Sequence, residues 1–389
     1  MTAAVVTEER SALGLAALPP SVGAVVDDVG AQAGAVDRGD ADLWDGLRDL
    51  GEQDLLTAPL PLVVELAHSL ARRCTATSFS LWGHRSAVEY HEATGAPLPA
   101  GADVGTVALA SGMAPAFKEE AGLGEIPLEL TDRADGTLSV TGALPWCSNL
   151  RPGAWIVAPV RGAGNRRAIV RFARDADGVT VKPLRGLTAL DGTSSGVVLL
   201  DDVSIPAGDV LTEDLPAFRD RVRAPFLLIQ TGMCLGLAGA ALDAAESAVD
   251  VASRNILAGE FHQGAADWEA LRAELVRTVE QVTAAAAGDA ERVPARDLAS
   301  VRLESALLAG RATRLEQKVV GGRGYALGSD TSRRAREAAF LPVQSPTETH
   351  LRHLLAAEPE LPTAPPDLSA AAPDLRAAEP GASGTGDPA

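Results

Sequence analysis

Residues 201–211 read Asp201-Asp202-Val203-Ser204-Ile205-Pro206-Ala207-Gly208-Asp209-Val210-Leu211, and the texture of the chain changes across them. Before them, over residues 106–215, glycines, prolines and Asp-Gly pairs interrupt short apolar runs. Asp135-Gly136, Asp177-Gly178 and Asp191-Gly192 are turn signals. Strand-like runs fall at 155–160, 168–172, 179–181 and 196–200. After them, over 216–356, the chain is Ala-rich, and the segments 227–251, 268–287 and 298–320 read as long helices. Such lengths suit a bundle of antiparallel helices, and helices this apolar bury a face against another subunit.

Upstream, Val63, Leu66, Ala67, Leu70 and Ala71 fall on one helical stripe. Trp44, Leu47 and Leu50 mark a shorter helix before it, and Pro19-Pro20 and Pro59-Leu60-Pro61 punctuate the region. The expected organisation is an N-terminal helical domain (1–105), a middle antiparallel β domain (106–215), a C-terminal helical bundle (216–356) and a disordered tail (357–389) of Pro, Ala, Gly and acidic residues. Helices, then strands, then helices is an uncommon order, and it defines a mostly helical α+β class.

The 389 residues, 46% of them apolar, suffice for two or three packed units. A formal net charge of −18 argues against nucleic acid and against anionic membrane surfaces. No basic stretch leads into an apolar run near residue 1, and no apolar segment is expected to reach the roughly 18 residues of a membrane span, so a cytoplasmic protein is expected. The three cysteines, Cys74, Cys147 and Cys234, are far apart, and none of the six histidines forms an HExxH motif. Neither a disulfide framework nor a metal site is expected.

Several short motifs carry chemistry. Gly192-Thr193-Ser194-Ser195-Gly196 fits the hydrolase pattern G-x-S-x-G, but a strand-like run follows it where the nucleophile elbow needs a helix, so it reads as a turn. Gly322-Arg323-Gly324, with Gly328 beyond, follows a helix, not a strand, and its spacing is wrong, which argues against a Rossmann site. Such a turn is either a helix C-cap or a set of exposed N–H groups able to meet a phosphate. In Trp146-Cys147-Ser148-Asn149, the indole could stack on a flat ring while the hydroxyl bonds its edge, or the Trp could serve as core. No His or Lys adjoins Cys147, so it reads as a packed thiol. Arg254, ending a helix, is either a solvated cation or a phosphate contact.

Together and in this order, the pieces resemble the acyl-CoA dehydrogenase family over most of residues 40–355. Residues 65–84 resemble its N-terminal helix pair. Trp146-Cys147-Ser148-Asn149 resembles its Trp-x-Ser/Thr flavin motif, and 201–211 its exit from the β domain. Gly321-Gly322-Arg323-Gly324-Tyr325 matches its G-G-x-G-Y, and Arg336-Glu337-Ala338 follows at the family's distance. The resemblance implies FAD at a subunit interface of a homodimer or homotetramer. It places Trp146 near the isoalloxazine, with Cys147 beside it, and Ser148 on the N5 side. It places Ser111 at a flavin-contacting position and Arg254 on the pyrophosphate of a neighbouring subunit's FAD. Gly321, Gly322 and Thr347 would lie close to the cofactor.

The chain departs from the family at its base. Dehydrogenation of a thioester needs a group to take the α-proton, a Glu in the family. The gapless position is Ser345, within Val343-Gln344-Ser345-Pro346-Thr347-Glu348, with Glu348 as the nearby alternative. The other place used by relatives falls near Phe226 or Leu227, neither of them acidic. The family's T-E-P-x-x-G-S-D loop is replaced by Ala110-Ser111-Gly112-Met113-Ala114-Pro115. Three functions are consistent with this. One is an FAD-dependent oxidoreductase acting on a small molecule or acyl thioester, served by an electron-transfer partner. Another is a monooxygenase using reduced FMN or FAD supplied by a reductase, with His350 or His353 as its histidine. The last is a flavin- or CoA-binding assembly protein without catalysis.

Overall fold

A computed structural model describes residues 13–134 and 136–356. The expected tail at 357–389 and the Asp135 half of the Asp135-Gly136 turn lie outside the described residues. The chain begins with α1 (Pro20–Arg38), α2 (Trp44–Gly51), α3 (Leu60–Ala71) and α4 (Thr75–Thr94). There follow β1 (Leu109–Ser111), α5 (Ala114–Glu120), β2 (Glu129–Asp132), β3 (Leu138–Cys147), β4 (Trp155–Arg161), β5 (Arg167–Ala173), β6 (Val179–Pro183), β7 (Gly196–Ile205) and β8 (Val210–Thr212). It ends in α6 (Leu215–Ala248), α7 (Val251–Ile256), α8 (Ala258–Ala287), α9 (Ala295–Val320), α10 (Asp330–Phe340) and α11 (Glu348–Ala356).

Strand order in the sheet is β6-β7-β3-β2-β4-β5-β8, with β1 added to β4. The sheet is mixed: most pairs are antiparallel, while β1 and β2 run parallel to β4. Its own apolar layer includes Val140, Leu144, Ile156, Val170 and Val198.

The central helix, α6, packs on α3, α4, α8 and α9. It starts at Leu215, well before the expected residue 227. The Asp214 side chain accepts the Ala217 N–H at 3.0 Å and so caps the first turn. Pro225 lies inside the helix and removes one backbone bond. Burial of Phe218, Val222 and Phe226 on the core side offsets that loss. α3 and α6 approach closely because Gly236 has no side chain: a Cβ there would stand 2.3 Å from the His68 carbonyl oxygen. One expectation is corrected here, since α6 does contain an 18-residue window of mean hydropathy 1.6. That window is 94% buried inside the protein, which is the pattern of a core helix.

Candidate flavin-facing site

Where β3 meets β7, the register shifts between Leu144 and Cys147. This irregularity turns Trp146 outward, leaving it 67% exposed near the end of β3. The corner that follows is clamped. Asn149 adopts φ 62°. Its backbone N–H donates to the Thr193 carbonyl at 2.9 Å, and the Leu150 N–H donates to that of Ser194 at 3.0 Å. The Asn149 amide donates to the Ser80 and Leu109 carbonyls at 2.9 and 3.1 Å, tying the corner to α4 and β1.

The clamp brings Ser148 against the turn that opens β7. The Ser148 and Ser195 hydroxyls are 2.7 Å apart, and those of Ser195 and Thr193 are 2.8 Å apart. Thr193 donates to the Leu190 carbonyl at 2.7 Å. Ser195 and Thr193 were read in the sequence only as part of a turn. They do form one, entering β7 rather than a helix, but their hydroxyls also reach Ser148. No sequence spacing signals that contact, because the clamp is tertiary.

Cys147 is buried and its thiol donates to the Ser111 carbonyl at 3.8 Å. Burial pushes that thiol up to about 12, so it is uncharged and unreactive near neutral pH. The Ser111 hydroxyl bonds the Tyr90 hydroxyl at 2.8 Å. Burial holds the Tyr90 phenol well above its ordinary range. Ser111 and Cys147 are therefore neighbours, one residue from Ser148.

The Gly321-Gly322 turn is exposed. Gly321 has φ 65° and ψ −146°, conformations that only glycine adopts freely. A Cβ at either residue would meet nothing within 4 Å, so backbone there is open to an approaching ligand. Arg254 lies on α7, where it pairs with Glu246 and stands 4.4 Å over the Phe261 ring.

The Ser345 segment is arranged differently. The Ser345 carbonyl accepts from the Gln230 amide at 2.9 Å, and its hydroxyl is buried without a partner. Glu348 begins α11 and accepts from Arg352 at 2.8 Å. Thr347 caps that helix, its hydroxyl oxygen accepting the His350 N–H at 3.2 Å. Phe226 and Leu227 are buried among apolar groups, with Phe226 4.9 Å from Phe117 and 4.9 Å from Trp82. His353 is exposed, whereas His350 is buried and its Nδ1 has no partner. Burial and nearby cations bring the His350 imidazole down to about 4, so it is neutral at physiological pH.

A flat exposed indole, a hydroxyl beside it and open glycine backbone fit a flavin with its phosphates. Neither family models nor curated protein sequences match the chain. Solved structures do match it in fold. Butyryl-CoA dehydrogenase from Megasphaera elsdenii is 15% identical, with a TM-score of 0.74 over 87% of this chain and 98% of its own. Nitrososynthase from Micromonospora carbonacea var. africana is 18% identical, with a TM-score of 0.70 over 88% of this chain and 98% of its own. Dibenzothiophene monooxygenase from Paenibacillus sp. A11-2 is 17% identical, with a TM-score of 0.67 over 85% and 94%. The chain has the acyl-CoA dehydrogenase fold. At these identities the likeness concerns the fold and leaves the chemistry to the residues.

Proposed function

We propose that this chain is a flavin-dependent oxidoreductase whose substrate is not a simple acyl-CoA. What carries this is the exposed Trp146 indole with the Ser148 hydroxyl two residues on, together with the absence of a carboxylate at Ser345. A bound flavin supplies the electron chemistry. Trp146 would cover its ring and Ser148 would bond its N5 edge. Gly321 and Gly322 would let backbone approach the cofactor, and Arg254 would meet the pyrophosphate of a neighbouring subunit's FAD. Ser345 has no acidic group, and Glu348 is held by Arg352, so neither provides a ready base for thioester dehydrogenation.

A second reading, a monooxygenase fed with reduced FMN or FAD by a reductase, is favoured by His350. This buried imidazole stays neutral near pH 7, and its free Nδ1 can donate or accept a hydrogen bond according to tautomer. The monooxygenase and the nitrososynthase on the same fold agree with it. Tyr325 (89% exposed) follows the glycine turn, and Val251 and Ile256 (both 81%) flank Arg254. Apolar groups so placed support a homodimer or homotetramer in which a second copy covers the phosphate side.

The test is anaerobic titration of the purified protein with oxidised and dithionite-reduced FMN and FAD. Saturable binding, weakened by Trp146→Ala and Ser148→Ala, is the expected result. Failure to bind any of the four forms rejects the flavin assignment.

A further inference from the structure

We infer that Thr193 and Ser195 are positioning residues that lock the Ser148 hydroxyl as a hydrogen-bond acceptor, and that the site thereby prefers reduced over oxidised flavin. The inference rests on the flavin reading above. Its basis is the direction of three short contacts. The Leu190 carbonyl can only accept. It lies 2.7 Å from the Thr193 hydroxyl oxygen, so the Thr193 proton must occupy that contact. The 2.8 Å contact between Thr193 and Ser195 then needs the Ser195 proton. The 2.7 Å contact between Ser195 and Ser148 in turn needs the Ser148 proton. With its one proton committed inward, Ser148 Oγ presents only lone pairs to a ligand.

The two flavin forms differ at the edge that Ser148 faces. Oxidised flavin has a bare N5, which accepts; two-electron-reduced flavin carries N5–H, which donates. An acceptor-only hydroxyl satisfies the second and sets lone pair against lone pair with the first. The backbone reinforces the arrangement, because the Asn149-to-Thr193 and Leu150-to-Ser194 bonds hold both ends of the chain of hydroxyls in register.

The test measures Kd for oxidised and for reduced flavin, and takes their ratio, in the wild type and in Ser195→Ala, Thr193→Val and Thr193→Ser. Circular dichroism checks that each variant folds. The wild type should bind the reduced form about tenfold or more tightly, the scale of one hydrogen bond made rather than opposed. Ser195→Ala frees the Ser148 proton, and Thr193→Val lets the Ser195 proton turn toward Ser148. In both, the ratio should fall by about tenfold. Thr193→Ser keeps the hydroxyl and should keep the ratio. A purely structural defect would weaken both forms together and leave the ratio unchanged. That result in both Ser195→Ala and Thr193→Val, or a wild type that binds the two forms equally, overturns the inference while the flavin assignment stands. A wild type that binds neither form overturns both.

Discussion

Arg302 Nε donates to Gln230 Oε1 at 2.7 Å, and both side chains are fully buried. A second nitrogen of Arg302 donates to Gln344 Oε1 at 2.9 Å, and Gln230 passes the chain on to the Ser345 carbonyl. Among the described residues no carboxylate pairs with this guanidinium. A buried charge is costly unless its protons are satisfied, and here neutral amide oxygens meet two of the three nitrogens while Nη1 has no partner. Arg302→Ala strips donors from two buried amide oxygens and opens a cavity. It should cost about 3 kcal/mol or more in denaturant unfolding. A loss below about 1 kcal/mol would show that the network relaxes without its cation.

Two buried histidines predict acid sensitivity. Burial holds His68 down at about 3 and His84 at about 4, against an ordinary 6.5. His84 is bonded as a neutral ring: Nε2 meets the Ala102 carbonyl at 3.0 Å and Nδ1 accepts the Leu109 N–H at 3.1 Å. Below pH 6.5 the unfolded chain takes up protons that the folded chain refuses. Stability is therefore fully present above that pH and falls as the pH drops toward 4. Each histidine removes about 1.4 kcal/mol per pH unit in that window. Urea midpoints at pH 7 and pH 5 should separate by the work of both groups together with that of His350, likewise held down to about 4, and His68→Leu should lessen the separation. Coincident midpoints would mean that these rings are hydrated in solution.

The thiols should be silent. Cys74, Cys147 and Cys234 are all buried and unbridged, and burial raises each above its ordinary value. A thiolate is the reactive form, so native protein at pH 8 should react with an aromatic disulfide reagent far more slowly than unfolded protein. All three thiols should titrate in denaturant. Fast modification of Cys147 in the native state would place it in an open, polar setting and undo the packed-thiol reading.

The order of elements was legible because long periodic segments carry it. The stripe of Val63, Leu66, Ala67 and Leu70 became the buried face of α3, and the strand-like runs became β4 to β7. α10 escaped notice because polar pairs hold it: Arg333 to Glu337, Arg334 to the buried Glu316, and Arg336 to Asp37. Hydrophobic periodicity does not register such contacts. At the site, Trp146 and Ser148 were visible as residues with suitable chemistry. The outward turn of Trp146 was not, since it comes from a register shift against β7. Nor was the chain from Ser148 to Thr193, whose members meet only once the Asn149 corner is clamped.

That outward turn makes Trp146 a reporter of its own role. Trp44, Trp82 and Trp268 are buried, and Trp155 is half-buried. Iodide should therefore quench chiefly the Trp146 emission, and Trp146→Phe should remove most of the quenchable component. If the indole covers a flavin ring, adding flavin should protect it from iodide while quenching it by contact. Stacking of aromatic rings is worth about 1 kcal/mol beyond area burial. Trp146→Ala, which also loses that buried area, should weaken flavin binding by about tenfold or more, and Trp146→Phe by less. An indole that stays open to iodide in flavin-saturated protein cannot lie against the ring. The exposed Trp146 would then belong to a different contact, with the flavin held elsewhere on the fold.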